Sequence, residues 1–182
     1  ITQVCPSPVL TATFCESVKG TLKKDNINLA STNNSVIGTR TGLKVLSWHT
    51  AKPATNANKI TNISSLSALN AASFYAVTDM PDTVQLTITV NPSPNVTFAA
   101  IDTLCKSNIV KQIAGVSPLG GVFSGINVTS AGILTPNQVG VFAIKYVSTN
   151  TFGCKDSSTK PVVVVAPATV VVSNVSPICS TT

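Results

Sequence analysis

Residues 84–90 read VQLTITV, a run in which apolar and polar side chains alternate. Successive side chains of a β-strand point to opposite faces, so this alternation predicts a strand with one buried face. The segment NPSP at 91–94 follows directly, and its prolines end the strand. A second apolar run, PVVVV at 161–165, is followed in the same way by APA at 166–168. Strands closed by proline-containing breaks are typical of small β-domains joined in series.

The composition also favours strands over helices. Only 10% of the 182 residues are charged, and Val, Thr, Ser and Asn are abundant. Exposed helix surfaces need more Leu, Ala, Glu, Lys and Arg, whereas β-branched residues suit a pleated, half-buried sheet. We therefore expect an all-β protein built from tandem β-sandwich modules.

The two breaks divide the chain into three parts. We expect a first module at 1–91, a second module at 92–168, and the first strand of a further module, or a donor strand, at 169–182. The last part begins like the second module, because Cys179 follows Pro167 at nearly the same distance as Cys105 follows Pro92. The alternative is that 169–182 is the last strand of a two-domain protein.

Few aromatic residues are available for the cores. Trp48 lies in the predicted strand LKVLSWHT, and we expect its side chain to anchor the first core. An exposed Trp48 that stacks on a ligand is the alternative. Tyr75 and Tyr146 are also expected to pack inward. His49 follows Trp48 directly, so it should lie on the opposite face of the strand, toward solvent.

The net charge of +6 does not indicate a nucleic-acid surface. The basic residues are scattered, only Lys23 and Lys24 are adjacent, and no basic run is interleaved with aromatic residues. Weak attraction to an acidic surface polysaccharide is compatible with this charge. The most apolar stretch, residues 161–172, is too short to span a membrane and contains Pro167.

No catalytic motif is present, and we expect neither an enzyme nor a cofactor. The six acidic residues are dispersed, and only Asp79 and Asp82 are close neighbours. They flank Met80 and Pro81, which predicts a turn; a weak calcium site there is the alternative. There is one His and no Gly-x-Ser-x-Gly sequence, so a catalytic triad has no support.

The five cysteines point to an oxidising compartment. They lack the close spacing of zinc ligands, so disulfides outside the cytosol are the better explanation. The chain begins at Ile1 without a signal-peptide pattern, so we expect a mature piece or an excerpt.

Three segments of the second module together resemble a known repeat family. They are GGVFSGINV at 120–128, GILTPNQVGVFAIKYV at 132–147 and FGCKDSSTKPVVVV at 152–165. In this order they resemble the Ig-like tandem repeats of very large cell-surface proteins in Bacteroidetes. Residues 43–91 resemble a companion repeat of the same proteins, although Met80 and Pro81 stand where that repeat usually has Gly-Cys.

The resemblance implies Ig-like sandwiches and a set of cysteine pairings. Cys105 and Cys154 would form the disulfide between an early and a late strand. Cys179 would then be unpaired or bonded to another module. Cys5 and Cys15 can bridge each other, or Cys5 can pair with a residue further upstream.

The resemblance also implies a location and a modification. Members of the family are typically exported by the type IX secretion system and serve in gliding motility, adhesion or matrix attachment. Thr83 and Thr103 lie in Asp-Thr-apolar sequences, the O-glycosylation pattern of that phylum.

The leading hypothesis is a non-catalytic segment of a long extracellular adhesin or filament stalk, whose partners are adjacent modules or neighbouring subunits. A carbohydrate-binding sandwich is one alternative. The other is a filament subunit that donates its C-terminal strand to a neighbour.

Overall fold

The chain forms two units, each with its own core. Unit 1 comprises Ile1–Asn95 with Thr149–Asp156, and unit 2 comprises Val96–Ser148 with Ser157–Thr182. The computed structural model describes residues 9–33, 44–79 and 83–171. Most of residues 169–182, expected to begin a further module, lie outside this described part. The sequence placed 149–156 in the second module, whereas the structure groups them with unit 1.

Six described strands form unit 1, in two sheets. They are β1 (Val9–Cys15), β2 (Lys23–Ile27), β3 (Val45–His49), β4 (Leu66–Leu69), β5 (Ser73–Thr78) and β6 (Thr83–Asn91). The four-stranded sheet has the order β1-β6-β5-β3, and β2 pairs with β4 in the second sheet. β1 runs parallel to β6, and the other pairs are antiparallel. Short 3₁₀ turns lie between β2 and β3, at Leu29–Thr32, and between β3 and β4, at Asn56–Asn58.

The alternation in β6 sets the core of unit 1. Every second residue of this strand is buried, and the residues between are half-buried on the outer face. The inward side chains are Val84, Leu86, Ile88 and Val90, and they pack with Trp48, Phe74 and Ala76 and with Ile27 and Ala68 of the second sheet. Trp48 is only 1% exposed, and its Nε1 donates to Asn33 Oδ1 at 3.0 Å. Such burial excludes stacking of Trp48 on a ligand.

Unit 2 has eight described strands, several of them short. They are β7 (Thr97–Phe98), β8 (Leu104–Cys105), β9 (Lys111–Gln112), β10 (Val116–Ser117), β11 (Val122–Gly125), β12 (Ile133–Leu134), β13 (Gly140–Thr149) and β14 (Lys155–Val165). The four-stranded sheet has the order β11-β13-β14-β8, and β12-β9 and β10-β7 form pairs. Three rings fill the centre: Phe123 lies 4.7 Å from Tyr146 and 5.9 Å from Phe98 between centroids.

Both units use the same arrangement of strands. The four-stranded sheets have the orders β1-β6-β5-β3 in unit 1 and β8-β14-β13-β11 in unit 2. In each sheet the edge strand that comes first in the sequence, β1 or β8, runs parallel to its neighbour, β6 or β14. Two-stranded sheets contribute to the same core in each unit: β2-β4 in unit 1, and β12-β9 and β10-β7 in unit 2. The protein is therefore all-β, with immunoglobulin-like sandwiches.

One end of β14 pairs with β8. The paired residues of β14 are its last two, Val164 and Val165. The carbonyl of Val165 accepts from Lys106 N on the β8 side, so the backbone groups of residues 163 and 161 point to the same side. Pro161 therefore has its backbone on this side, where it has no N–H to donate.

The two glycines before β11 are needed for different reasons. The hydroxyl of Tyr146 donates to Pro118 O and accepts from Gly121 N at 2.7 Å. A Cβ on Gly121 would lie 2.6 Å from the Tyr146 Oη and 2.4 Å from Val147 O, closer than atoms can approach. Gly120 has φ +85, a conformation that favours glycine.

Tyr75 does not pack in the core, contrary to the sequence-based expectation. In β5 the buried positions are Phe74 and Ala76, so the side chain between them lies on the outer face, half-buried. The Nζ of Lys52 is 5.3 Å from the centroid of the Tyr75 ring. Phe74 takes the core position because the strand register, rather than ring size, selects the inward residues.

His49 is buried, although solvent exposure was expected. It pairs with Tyr75 and lies on the face opposite Trp48, as the alternation requires, but the 51–58 loop covers it and leaves it 5% exposed. The Nδ1 lies 2.8 Å from Asn58 Oδ1, and the Nε2 lies 2.8 Å from Ser47 Oγ. The sequence predicted the face of the strand on which His49 lies, but it did not predict that the 51–58 loop covers that face.

The hydroxyl of Tyr146 provides a test of the unit 2 core. We expect Tyr146→Phe to lower the free energy of unfolding of unit 2 by about 1–3 kcal/mol, because Gly121 N and Pro118 O would lose their buried partner. The matched control Tyr75→Phe, on the outer face of unit 1, should change it by no more than about 0.5 kcal/mol. Denaturant unfolding of the two variants measures the difference, and equal effects would contradict this account.

Candidate functional site

Candidate sites for chemistry are sparse in the described part of the chain. No group of three or more His, Cys, Asp or Glu side chains there could hold a metal ion. A cavity of about 260 Å³ lies in unit 2 between residues 99–102 and 111–115, and its lining is largely apolar. Its charged side chains, Asp102 and Lys111, approach to 4.0 Å. No nucleophile lies beside a base in this lining.

A set of specific contacts surrounds a disulfide in unit 1. Cys15 ends β1, and Cys154 directly precedes β14; their Sγ atoms are 2.08 Å apart and their Cα atoms 5.4 Å apart. Cys154 is fully buried, and Cys15 is half-buried. We call Cys15 and Glu16, residues 91–93 and residues 150–154 the junction cluster.

The side chain of Asn150 shapes the turn that presents Cys154. Its Oδ1 accepts from the backbone N–H groups of Phe152 and Cys154, each at 3.0 Å. Gly153 supplies the turn's left-handed residue, with φ +80. The Nδ2 of Asn150 donates to Pro92 O at 2.7 Å, which fixes the turn against the segment after β6.

Glu16 holds the other side of the cluster. Its carboxylate accepts from Ser93 N at 2.8 Å, and from Thr21 N and Leu22 N at 3.1 and 3.0 Å. The backbone N–H of Glu16 continues the β1–β6 pairing by donating to Asn91 O at 3.0 Å. Hydrogen bonding, first of all from Ser93, lowers the pKa of the Glu16 carboxyl below its ordinary value of 4.5, while burial acts in the opposite direction.

The contacts of the junction cluster hold chain segments together. An exposed ion pair beside it, Lys19 Nζ to Asp156 Oδ2 at 2.6 Å, adds a contact of small energy. The 149–156 turn is thus held to the end of β1 by the disulfide, to the chain after β6 by a hydrogen bond and to the loop after β1 by the ion pair. This arrangement resists separation of these segments.

The predicted Cys105–Cys154 disulfide is wrong. Cys105 is unpaired and exposed, and it lies beside Val165 at the far end of β14, whereas Cys154 precedes the first residue of that strand. Eleven residues of extended chain separate the two ends of β14, or roughly 36 Å at about 3.3 Å per residue. A disulfide requires Cα atoms within about 7 Å.

Of the two alternatives for Cys5, the bridge to Cys15 is also wrong, because Cys15 is bonded to Cys154. Cys5 and Cys179 lie outside the described residues. The sequence signal for the true pair is the Asn-x-x-Gly-Cys turn at 150–154, which places one cysteine at a strand start. Nothing local identifies Cys15 as its partner, since 139 positions separate them.

The two predicted glycosylation positions differ in accessibility. Thr103 is exposed immediately before β8, next to Asp102, whose side chain is also exposed. Thr83 is half-buried at the start of β6. Their modification stays a prediction. Of the predicted Asp turn, Asp79 Oδ1 accepts from Lys44 N at 3.0 Å, and residues 80–82 lie outside the described part.

A second polar cluster, which the sequence did not predict, surrounds His49. Asn58 Oδ1 accepts from Thr55 N at 2.9 Å, and Asn58 Nδ2 donates to Pro53 O at 2.8 Å, which fixes the orientation of the amide. The Nδ1 of His49 therefore donates to Asn58, and its Nε2 is free to accept from the Ser47 hydroxyl. Both ring nitrogens are satisfied within the fold, so this His is a structural residue of the loop.

Comparison with known proteins gives no family assignment. No protein-family model and no curated protein matches the chain. Among solved structures, titin fragment I67–I69 is similar at 11% identity with a TM-score of 0.31, covering 88% of this chain and 64% of that one. Sidekick-1 immunoglobulin domains 1–4 are similar at 11% identity and a TM-score of 0.31, covering 87% and 47%. The chain thus spans less than two thirds of either structure. No described helix is long and apolar enough to cross a membrane.

The disulfide should contribute strongly to the stability of unit 1. Closing a loop of this length stabilises a fold by up to about 5 kcal/mol, so we expect Cys15→Ala with Cys154→Ala to lower the free energy of unfolding by about 2–5 kcal/mol. The fluorescence of Trp48, the single tryptophan, reports this transition in denaturant. Cys105→Ala is the matched control and should change it by no more than about 0.5 kcal/mol. If Cys105→Ala lowers the free energy of unfolding as much as the double variant does, the stabilising role of the Cys15–Cys154 disulfide is contradicted.

Glu16 should make unit 1 sensitive to acid. Its folded pKa lies below the unfolded one, so its contribution is complete above the unfolded pKa and is lost as pH falls through the folded pKa. We expect the wild type to lose stability as pH falls below about 4.5. Glu16→Gln should be less stable at neutral pH, and its stability should fall less steeply as the pH is lowered. Some acid dependence should remain, because a hydrogen bond from Ser67 and the charge of Lys23 lower the pKa of Asp25. Thermal unfolding from pH 3 to 7 measures the difference. If the melting temperatures of the two proteins fall equally as the pH is lowered, this role of Glu16 is overturned.

Proposed function

We propose that this chain is a non-catalytic, structural or adhesive segment of a long extracellular surface protein. The observation that carries the proposal is the repetition of one sandwich plan in two successive units, combined with a disulfide that closes across most of the chain. Repeated domains with separate cores suit a protein whose role is to extend and to resist force. The disulfide supports an oxidising location outside the cytosol.

The resemblance of residues 120–165 to Bacteroidetes surface repeats makes the proposal more specific. The motif positions have structural explanations here: Gly121 makes room for Tyr146, and the Gly-Cys pair at 153–154 forms the turn that enters the disulfide. We propose export by the type IX system and a role in gliding motility, adhesion or matrix attachment. Adjacent modules of the same chain are the proposed partners.

Exposed apolar side chains on unit 2 are compatible with contacts to neighbouring modules. The outward positions of its four-stranded sheet include Val122, Val141, Val163 and Val165, and all four are exposed. In a carbohydrate-binding face these positions would be expected to carry aromatic rings. Trp48 and Tyr146 are buried instead, and this distribution favours the structural role.

The location of the native protein tests the proposal. Antibodies against the folded chain should label intact cells, and a membrane-impermeant maleimide should label Cys105 but not Cys15 or Cys154. Peptide mapping without reductant should recover Cys15 and Cys154 in one linked species. A cytosolic enzyme of the same cells is the control for leakage.

The proposal fails if the native protein is found in the cytosol with Cys15 and Cys154 reduced. Electrophoresis under reducing conditions supplies the second arm: we expect a polypeptide of several hundred kilodaltons. A native polypeptide near 18.7 kDa that assembles into larger species, and that stops doing so when residues 169–182 are deleted, would support strand donation instead.

A further inference from the structure

We infer that the Cys15–Cys154 bond creates a covalent tension path that bypasses the chain between these residues and keeps that chain from being extended under load. The inference rests on the proposed function, because a stalk or an adhesive segment is pulled along its length. The inference depends on where the disulfide lies, between the end of β1 and the start of β14. The experiment that tests it gives the same answer wherever the native protein is located.

The path consists of two strands and one disulfide. Tension that arrives from the N-terminal side runs along β1, which ends at Cys15. The S–S bond carries it to Cys154, and the next residue, Lys155, is the first residue of β14. Tension then leaves along β14 to Val165. No residue between 16 and 153 lies on this path.

Both strands of the path are already extended. A β-strand rises about 3.2–3.4 Å per residue, and a fully stretched chain reaches about 3.3–3.6 Å, so β1 and β14 can lengthen by only a few ångströms. The chain inside the loop has far more length in reserve. Its 139-residue separation corresponds to about 490 Å when it is stretched at about 3.5 Å per residue.

The loop contains nearly all of both cores. The inward residues of β3, β5 and β6 in unit 1, and those of β11, β12 and β13 in unit 2, lie between residues 16 and 153. With the bond intact, tension therefore acts on β1 and on β14 and does not pull on the two ends of the enclosed chain. The junction cluster places the bond where Asn150 and Glu16 already hold the same segments together.

Reduction should convert this stiff element into an extensible one. A dithiol attacks one sulfur, forms a mixed disulfide and then closes to a cyclic disulfide, leaving two cysteine thiols; the dithiol is oxidised and the Cys15–Cys154 bond is reduced. Cys154 is fully buried, so the attacking thiolate must approach from the side of half-buried Cys15. After this step, tension passes through the entire chain.

Single-molecule pulling of the full chain tests the inference. Handles are attached at both termini, and Cys5→Ser, Cys105→Ser and Cys179→Ser remove every other disulfide partner. Only residues 1–14 and 155–182 lie outside the loop, so the oxidised protein should lengthen by no more than about 150 Å. Adding Cys15→Ser to this background should release about 490 Å more.

A second measurement separates the disulfide from any folding defect of the Cys15→Ser variant. The oxidised protein is first folded and held under load, and a dithiol is then added; the same release of about 490 Å should follow. Release of that length from the oxidised protein before dithiol is added would overturn the inference. So would the absence of extra length after reduction. A native protein located in the cytosol would instead overturn the proposed function and leave the mechanical result intact.

Discussion

The whole structure depends on the two-residue alternation of side chains along its strands. In β6, four aliphatic side chains enter the core of unit 1 while Thr and Gln side chains remain on the outer face. Because the sheet buries only one face, a slip of one residue would place all four aliphatic groups in water. The register of β6 with β1 and β5 is therefore strongly specified, and the position of Cys15 beside Asn91 follows from it.

The alternation of apolar and polar residues in the sequence predicted much of the fold. The parts that it did not predict are set by contacts between residues far apart in the chain. The run at 84–90 becomes β6, and the all-β Ig-like class is confirmed. The INLAS segment at 27–31 contains only the end of β2 and a 3₁₀ turn. There the side chain of Asn28 accepts from Ala30 N and turns the chain.

The cysteine pairing was beyond local reasoning for a physical reason. A resemblance to repeats suggests pairing within one repeat, but Cys105 and Cys154 stand at opposite ends of β14. The true pair depends on which segment the 149–156 turn contacts, and that is set by Asn150, Pro92 and the register of β1. The same limit applies to His49, whose face was predictable although the loop held by Asn58 was not.

Pro161 limits what β14 can pair with. Its backbone lies on the same side of the strand as the carbonyl of Val165, which accepts from Lys106 N. Proline has no N–H, so it removes one donor from this side of a strand whose last four residues are valine. A valine-rich strand with a full set of donors would pair more readily with a copy of itself. One pyrrolidine ring thus makes β14 a poorer template for aggregation, while Val162 and Val164 stay buried.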